Sequence, residues 1–319
     1  MSQQTVRFGV IGAGRIANKQ IGPAIKSARH ATLHAAASRD LARAEMLGAT
    51  RTYRTYDDLI RDPEVDAVFI TAHNGLHKAL AMDALQHGKH VLCEKPLAVN
   101  ARECEEMIAA AEAVGRHLVE AFMYRYHPQM DRAQELVQSG AIGELRVVQA
   151  TFRFTLTRPD DVRFRPEWGG GSLLDVGCYG VDISRLFLGD TPQDVRAVGV
   201  LSHRGVDTSV QGILRYGGDR FALISCGFDS GPLQQVTLLG TDGIILFNQP
   251  FSSWRGNPQL TVQTVEREDV FPFDPVNTYE AEVEDLALAI LDGSRPRFTA
   301  AASLSNARIL DRLAQDIRS

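Results

Sequence analysis

At 319 residues, 44% of them hydrophobic, the chain can form a sizeable core, and two domains are expected. Its formal net charge of −5 gives no reason to expect a nucleic acid or an anionic membrane surface as partner. No apolar run is long enough to span a bilayer as a helix.

The polar start, Met1-Ser2-Gln3-Gln4, is not a signal peptide. Cys93, Cys104, Cys178 and Cys226 lack metal-ligand spacing, so no metal is expected; reduced thiols in a cytoplasmic protein are. The first strong element is Arg7-Phe8-Gly9-Val10-Ile11, an apolar strand that runs into Gly12-Ala13-Gly14-Arg15-Ile16-Ala17 and an amphipathic helical stretch. Gly12 permits a tight turn, Gly14 lets the backbone approach a pyrophosphate, and the small Ala17 allows close helix–strand packing. The helix start then offers free N–H groups to phosphates. Gly12, Gly14, Arg15 and Ile16 are therefore candidate dinucleotide contacts.

The second strand, Ala31 to Ala37, ends on Ser38-Arg39-Asp40. An acidic residue at such a tip binds the ribose 2′-hydroxyl of NAD, whereas an arginine suits the 2′-phosphate of NADP. Ser38 and Arg39 occupy the tip and favour NADP, with NAD as the alternative. Asp40 comes later, where it could equally cap the helix from Leu41. Without a ligand, Arg39 would be an ordinary surface charge.

Strand and helix patterns then alternate. Val65 to Ile70 reads as a strand, Leu76 to His87 as a helix ended by Gly88, and His90 to Glu94 as a strand. Asn100 to Val114 reads as a helix capped by Asn100 and stopped by Gly115, and His117 to Phe122 as a strand. The alternation predicts an α/β domain over 1–122 with a doubly wound parallel sheet. The strand that ends on Glu94-Lys95-Pro96 puts an ammonium at the carboxyl edge, where open α/β sheets bind ligands. The plainer alternative is a strand-end ion pair.

After residue 123 the texture changes. Leu145–Leu156, Val195–His203, Val210–Tyr216, Phe221–Phe228 and Gln235–Phe247 read as longer strands, with hairpin signals at Tyr216-Gly217-Gly218-Asp219 and Gly240-Thr241-Asp242-Gly243. An α+β domain over 123–319 with a large, mostly antiparallel open sheet is expected. Within it, Gly169-Gly170-Gly171 breaks the chain before a helix from Ser172, a candidate cap, to about Leu188. Asp175, Tyr179 and Asp182 fall at i, i+4 and i+7, on one face. A surface helix would explain this stripe, but the apolar residues around it point to a cleft.

Taken together these residues resemble the Gfo/Idh/MocA oxidoreductase family over essentially the whole chain. The matching pieces are Gly12 to Ala17, Gly88-Lys89-His90-Val91-Leu92-Cys93-Glu94-Lys95-Pro96-Leu97, Gly170 to Gly177, and Tyr279-Glu280-Ala281-Glu282-Val283-Glu284-Asp285-Leu286. The resemblance implies that Lys95 contacts the nicotinamide ribose and the substrate, with Glu94 beside it. Many members carry His where this chain has Tyr179. Together with the segment Glu120 to Gln129, which includes Tyr124, and Pro166-Glu167, this resembles the branch of dihydrodiol dehydrogenases, NADP-dependent D-xylose 1-dehydrogenases and glucose–fructose oxidoreductases. A usual Thr-Pro before Asn-x-x-His is replaced by Ala72-His73, ahead of Asn74 and His77, and the resemblance places these four residues on the nicotinamide side.

The implied reaction is hydride transfer between nicotinamide and a carbinol or carbonyl of a sugar or related cyclic polyol. Lys95, Tyr179 and Asp175 are the expected catalytic residues, with Tyr179 taking the hydroxyl proton. Asp182 would be a substrate or structural partner. Tyr124, Arg163 and Trp168 are tentative substrate contacts, the last two equally explained as surface residues. Alternatives are a dehydrogenase or ketoreductase on a non-sugar ring, a nucleotide-sensing regulator without catalysis, and a glycosidase using tightly bound NAD. The resemblance also implies a homodimer or homotetramer formed through the open sheet of the second domain.

Overall fold

The computed structural model describes residues 4–252 and 256–318; Met1, Ser2 and Gln3 of the polar start lie outside them. The chain forms two compact units. One holds the residues through Met123 together with Asn277–Leu304, the other Tyr124–Val276 together with the residues from Ser305 on. The expected division assigned everything after residue 122 to one domain, whereas 277–304 pack with the first unit.

The first unit is built on six parallel strands, β1 (Val6–Ile11), β2 (Ala31–Ala37), β3 (Arg51–Tyr53), β4 (Ala67–Ile70), β5 (His90–Glu94) and β6 (Leu118–Ala121). Their order is β3-β2-β1-β4-β5-β6, so the direction of growth reverses between β1 and β4. That reversal opens a crevice at the carboxyl ends of the strands. All four residues of β4 are buried, as in a strand covered on both faces. The connections carry α1 (Gly22–Ser27), α2 (Leu41–Glu45), α3 (Tyr56–Ile60), α4 (His77–Gln86) and α5 (Ala101–Val114). α5 has the caps its sequence calls for: the Asn100 side chain accepts from Glu103 N, and Gly115 ends it at φ 62°. The helix expected from Leu76 starts one residue later, because Asn74–Leu76 form a 3₁₀ turn. Asp40 precedes α2 without a side-chain cap, since its carboxylate pairs with Arg43 instead.

The second unit carries an eight-stranded sheet: β7 (Leu145–Arg153), β8 (Asp194–Leu201), β9 (Asp207–Tyr216), β10 (Arg220–Gly227), β11 (Leu233–Gly240), β12 (Gly243–Phe247), β13 (Gln259–Thr264) and β14 (Glu268–Pro272). The order is β14-β13-β12-β11-β7-β10-β9-β8, antiparallel throughout except for the β7–β10 pair. The run Gln235–Phe247 contains two strands, folded at Thr241-Asp242. β13 and β14 escaped the sequence reading; β14 holds Glu268 and Asp269 and buries none of its residues. The helices are α6 (Pro128–Gln138) and α7 (Cys178–Leu188), and α7 packs on β7 and β10. The chain then forms α8 (Thr278–Asp292), which packs in the first unit against α1, β1, β2 and β5, and α9 (Ala300–Asp316). Ser27 Oγ donates to Glu280 at 2.6 Å and His30 N to Glu284 at 3.0 Å, which fastens α8 there. On the sheet face of the second unit away from α7, Ile213 and Leu223 are direct cross-strand partners, 49% and 38% exposed, and Val198 on β8 is exposed as well.

Candidate functional site

The turn after β1 is set by Gly12, whose φ of +96° lies in the region that side chains avoid. A Cβ there would also lie 3.0 Å from Thr71 Oγ1. Thr71 ends the neighbouring β4 and donates its hydroxyl to Gly12 O at 2.8 Å, tying the two strand ends together. Around Gly14 the situation is the reverse: a Cβ would meet nothing within 4 Å. That open space beside a helix start fits a pyrophosphate approaching the backbone. The helical turn that follows holds Asn18, whose amide donates to Ala13 O and Gly14 O. Arg15 is exposed and Ile16 half-buried.

At the end of β2, Ser38 is buried and its hydroxyl accepts from Asp40 N at 3.2 Å. Arg39 is exposed, and among the described residues it enters no ion pair. The tip therefore presents one guanidinium to solvent, while Asp40 is neutralised by Arg43.

Along the carboxyl edge, Ala72, His73, Asn74, Glu94 and Lys95 are all half-buried, and the Lys95–Pro96 peptide is cis. His77 is fully buried, with Nδ1 2.9 Å from Pro96 O and Nε2 3.0 Å from Ala72 O. Burial, then the charges of His73 and Lys95, push its pKa below the ordinary value. Glu120, buried on β6, accepts from Leu97 N at 2.9 Å and holds the turn after Pro96 from the other side. The resemblance quoted Glu120 without giving it a task, and its charge in an otherwise apolar strand was the signal available.

In the second unit, Gly171 has φ +119°, and a Cβ there would fall 2.3 Å from Asp207 Oδ1. The space belongs to the buried carboxylate of Asp207 on β9, which accepts from Ser172 Oγ at 2.8 Å and Leu173 N at 2.6 Å. Ser172 thus does not cap its own helix as expected; its hydroxyl is spent on Asp207. Burial raises the Asp207 pKa against the pull of these donors. Nothing in the sequence around Asp207 marks it.

The helix of Asp175, Tyr179 and Asp182 is not regular throughout: Leu173–Gly177 form a π-helical turn ahead of α7. Its wider winding changes the phase between Asp175 and the residues that follow. Asp175 is half-buried and accepts from Arg163 Nε at 2.5 Å. Burial works against the Arg163 cation, but Asp175 and Asp161 outweigh it and raise its pKa. Tyr179 is 5% exposed, its ring centroid 5.1 Å from Phe251, 5.4 Å from Phe152 and 5.8 Å from Tyr124. Asp182 is fully buried and accepts from the Tyr124 hydroxyl, from Arg125 at 3.4 Å, and from Arg185 and Asn306 at 3.1 Å each. Burial raises the Asp182 pKa, yet Arg125 and Arg185 bring it below the usual carboxylate value. With its oxygens engaged by four internal donors, this geometry supports the structural rather than the substrate role for Asp182, and Tyr124, equally buried, shares it. Trp168 is half-buried with the Arg165 guanidinium 5.9 Å from its ring.

Two polar clusters of the first unit lie outside the expected residues. A cavity of about 390 Å³ at the amino edge of the sheet is lined by Asp66, Lys89, His90 and Arg116. Its cations serve the backbone: Lys89 Nζ donates to Asp62 O and Val65 O, and Arg116 Nε to Gly88 O. His34, Asp62 and Glu64 converge within 4.8 Å, and Arg51 ion-pairs with both carboxylates.

Comparison with known proteins covers both units. Residues 6–122 match the family model described as an oxidoreductase family with an NAD-binding Rossmann fold, and residues 130–246 match the GFO/IDH/MocA C-terminal domain. The chain is 39% identical over 311 residues to D-xylose 1-dehydrogenase (NADP(+)) 2 of Haloferax volcanii, covering 95% of both. It is 33% identical over 293 residues to trans-1,2-dihydrobenzene-1,2-diol dehydrogenase of Xenopus tropicalis, covering 86% of this chain and 87% of that one. Among solved structures, a 3-ketoreductase from Actinomadura kijaniata in complex with NADP and TDP-benzene superimposes with a TM-score of 0.93, at 29% identity and 98% coverage of each chain.

Proposed function

The chain belongs to the Gfo/Idh/MocA oxidoreductase family, and from that membership we propose that it is an NADP-dependent dehydrogenase acting on a carbinol carbon of a sugar or related cyclic polyol. The observation that carries the reading is its near full-length likeness to an NADP-dependent D-xylose dehydrogenase. The exposed Arg39 at the tip of β2 supports NADP over NAD.

In this reading the Gly12–Ile16 turn holds the pyrophosphate, Ser38 and Arg39 the 2′-phosphate, and Ala72, His73 and Asn74 line the nicotinamide side. The bound cofactor supplies a hydride acceptor. Tyr179 Oη takes the substrate hydroxyl proton as the carbinol is oxidised. An unperturbed phenol titrates near 10, about three units above neutral, so a cation must favour its phenolate. The Lys95 ammonium has that task and also donates to the substrate oxygen. Asp175, held by Arg163, binds a further hydroxyl or orients Tyr179.

A second reading, oxidation or reduction on a non-sugar ring, draws on the dihydrodiol dehydrogenase and ketoreductase relatives. The exposed apolar face around Ile213 and Leu223 supports a homodimer or homotetramer through the second sheet. The cysteines are buried and free, which supports a reducing, cytoplasmic setting. Among the described residues no helix is long and apolar enough to cross a membrane.

The test is a panel of aldoses, polyols and trans-diols followed at the reduced-nicotinamide band with NADP and NAD in parallel. Aldose oxidation that is faster with NADP is expected. A response confined to trans-diols selects the second reading, and no reduction with any substrate overturns both.

A further inference from the structure

His77 has no task in the chemistry above beyond its place in the motif, yet it holds an unusual position in the first unit. It opens α4, is fully buried, and sets its ring between two main-chain carbonyls: Pro96 O at 2.9 Å from Nδ1 and Ala72 O at 3.0 Å from Nε2. Pro96 directly follows Lys95. Ala72 directly precedes His73-Asn74. One side chain thus touches both loops that the proposed function places at the nicotinamide.

A neutral imidazole has one N–H and one lone pair. Between two acceptors it can donate to only one, and the other contact then opposes lone pair to lone pair. A doubly protonated ring would satisfy both carbonyls, but burial and the charges of His73 and Lys95 disfavour it. Two neutral tautomers remain, each gripping one loop. Glu120 secures the next peptide, Leu97 N, so the Lys95 side keeps an anchor when the His77 proton faces Ala72.

We propose that His77 is a positioning residue which couples the Lys95–Pro96 loop to the Ala72–Asn74 loop through a single ring proton, so that the tautomer decides which loop is held. The inference rests on the catalytic reading of Lys95. It adds that occupancy of the cofactor loop and placement of the ammonium are linked. Filling the site beside Ala72–Asn74 shifts that loop and biases the tautomer, and the grip on Pro96 O changes with it.

The experiment combines variants with a direct view of the ring. His77→Leu is expected to lower kcat by roughly tenfold to hundredfold, the scale of a small misplacement of a catalytic group. His77→Gln, which keeps one N–H donor, is expected to recover part of that loss. In the native enzyme the imidazole ¹⁵N signals of His77 are expected to show a neutral ring whose tautomer populations change as NADP is titrated in. Undiminished turnover in Lys95→Ala refutes the underlying reading and this inference with it. Turnover lost in Lys95→Ala but unchanged in His77→Leu refutes the inference alone. Should His77→Leu fail to fold, the ¹⁵N titration decides: a fully protonated ring, or signals unmoved by saturating NADP, overturns the proposal.

Discussion

The two units fix their functional residues by different means. In the first, the carboxyl edge is assembled from main chain: Gly12 O meets the Thr71 hydroxyl, Pro96 O and Ala72 O meet His77, and Leu97 N meets Glu120. In the second, the helix that carries Asp175 and Tyr179 is held by side-chain carboxylates, with Asp207 at its start, Arg163 on Asp175, and Asp182 gripped by four donors. Placement in the first unit rests on single side chains that each hold a main-chain group: Thr71, His77 and Glu120. Placement in the second depends on every member of a charged network.

The sharpest way to break the comparison is to remove one proposed catalytic group from each unit. Lys95→Ala and Tyr179→Phe are each expected to lower kcat by about 10²–10⁴-fold, the usual worth of a positioned proton-transfer group. Fluorescence titration should show NADP still binding both variants. A loss confined to Lys95→Ala would place all the chemistry in the first unit.

Next in size is the Asp182 network. Asp182→Ala removes the buried carboxylate that Arg125 and Arg185 share, leaving Arg185 its pair with the exposed Asp190, and is expected to cost about 3–5 kcal/mol of unfolding free energy. Urea unfolding measures it, and a loss below about 1 kcal/mol would show that the second unit does not depend on its charges as described.

Arg39→Ala probes the first unit at the exposed side chain proposed to meet the 2′-phosphate. A charge-assisted contact is worth about 1.5–3 kcal/mol, so KM for NADP is expected to rise roughly tenfold or more. KM for NAD should stay within about twofold, because NAD has no 2′-phosphate for the guanidinium to meet. Equal effects on both cofactors would detach Arg39 from the 2′-phosphate.

The smallest effect is a pH limb. Burial, with His117 and Arg116, pushes the His90 pKa from 6.5 down to about 4. Between those values the unfolded chain takes up a proton that the folded one refuses. Stability therefore falls as pH drops from about 6.5 to about 4 and levels off below. His90→Gln is expected to flatten this limb in unfolding midpoints measured across that range. An unchanged limb would assign it to other groups.

This contrast also explains what could be read from the sequence. The Gly12–Ala17 turn and the Glu94-Lys95-Pro96 strand end were legible because backbone geometry restricts which residues can stand there. The five strands expected in the parallel unit, β1, β2, β4, β5 and β6, sit within a few residues of their places, while β3, only three residues long, was not expected. The π-helical turn that holds Asp175 was not foreseen, because such a turn leaves no local sequence signal. Asp207 was invisible: its partners Ser172 and Leu173 lie 35 and 34 residues away along the chain. β14 was missed because the edge strand Glu268–Pro272 buries none of its residues, whereas β13 does alternate, with Leu260 and Val262 buried, and was legible but unread. The return of α8 to the first unit depends on packing across more than 250 positions, as with Ser27 and Glu280.

The π-helical turn at Leu173–Gly177 has one more consequence. One residue of an α-helix corresponds to about 100° of rotation. Deleting a single residue there would let the segment rewind as regular helix, whose tighter winding offsets most of that rotation, so Asp175 would turn only slightly relative to Tyr179. Relatives could thus differ in length by one codon there and still aim the same side chains nearly alike, leaving the sheet beneath untouched.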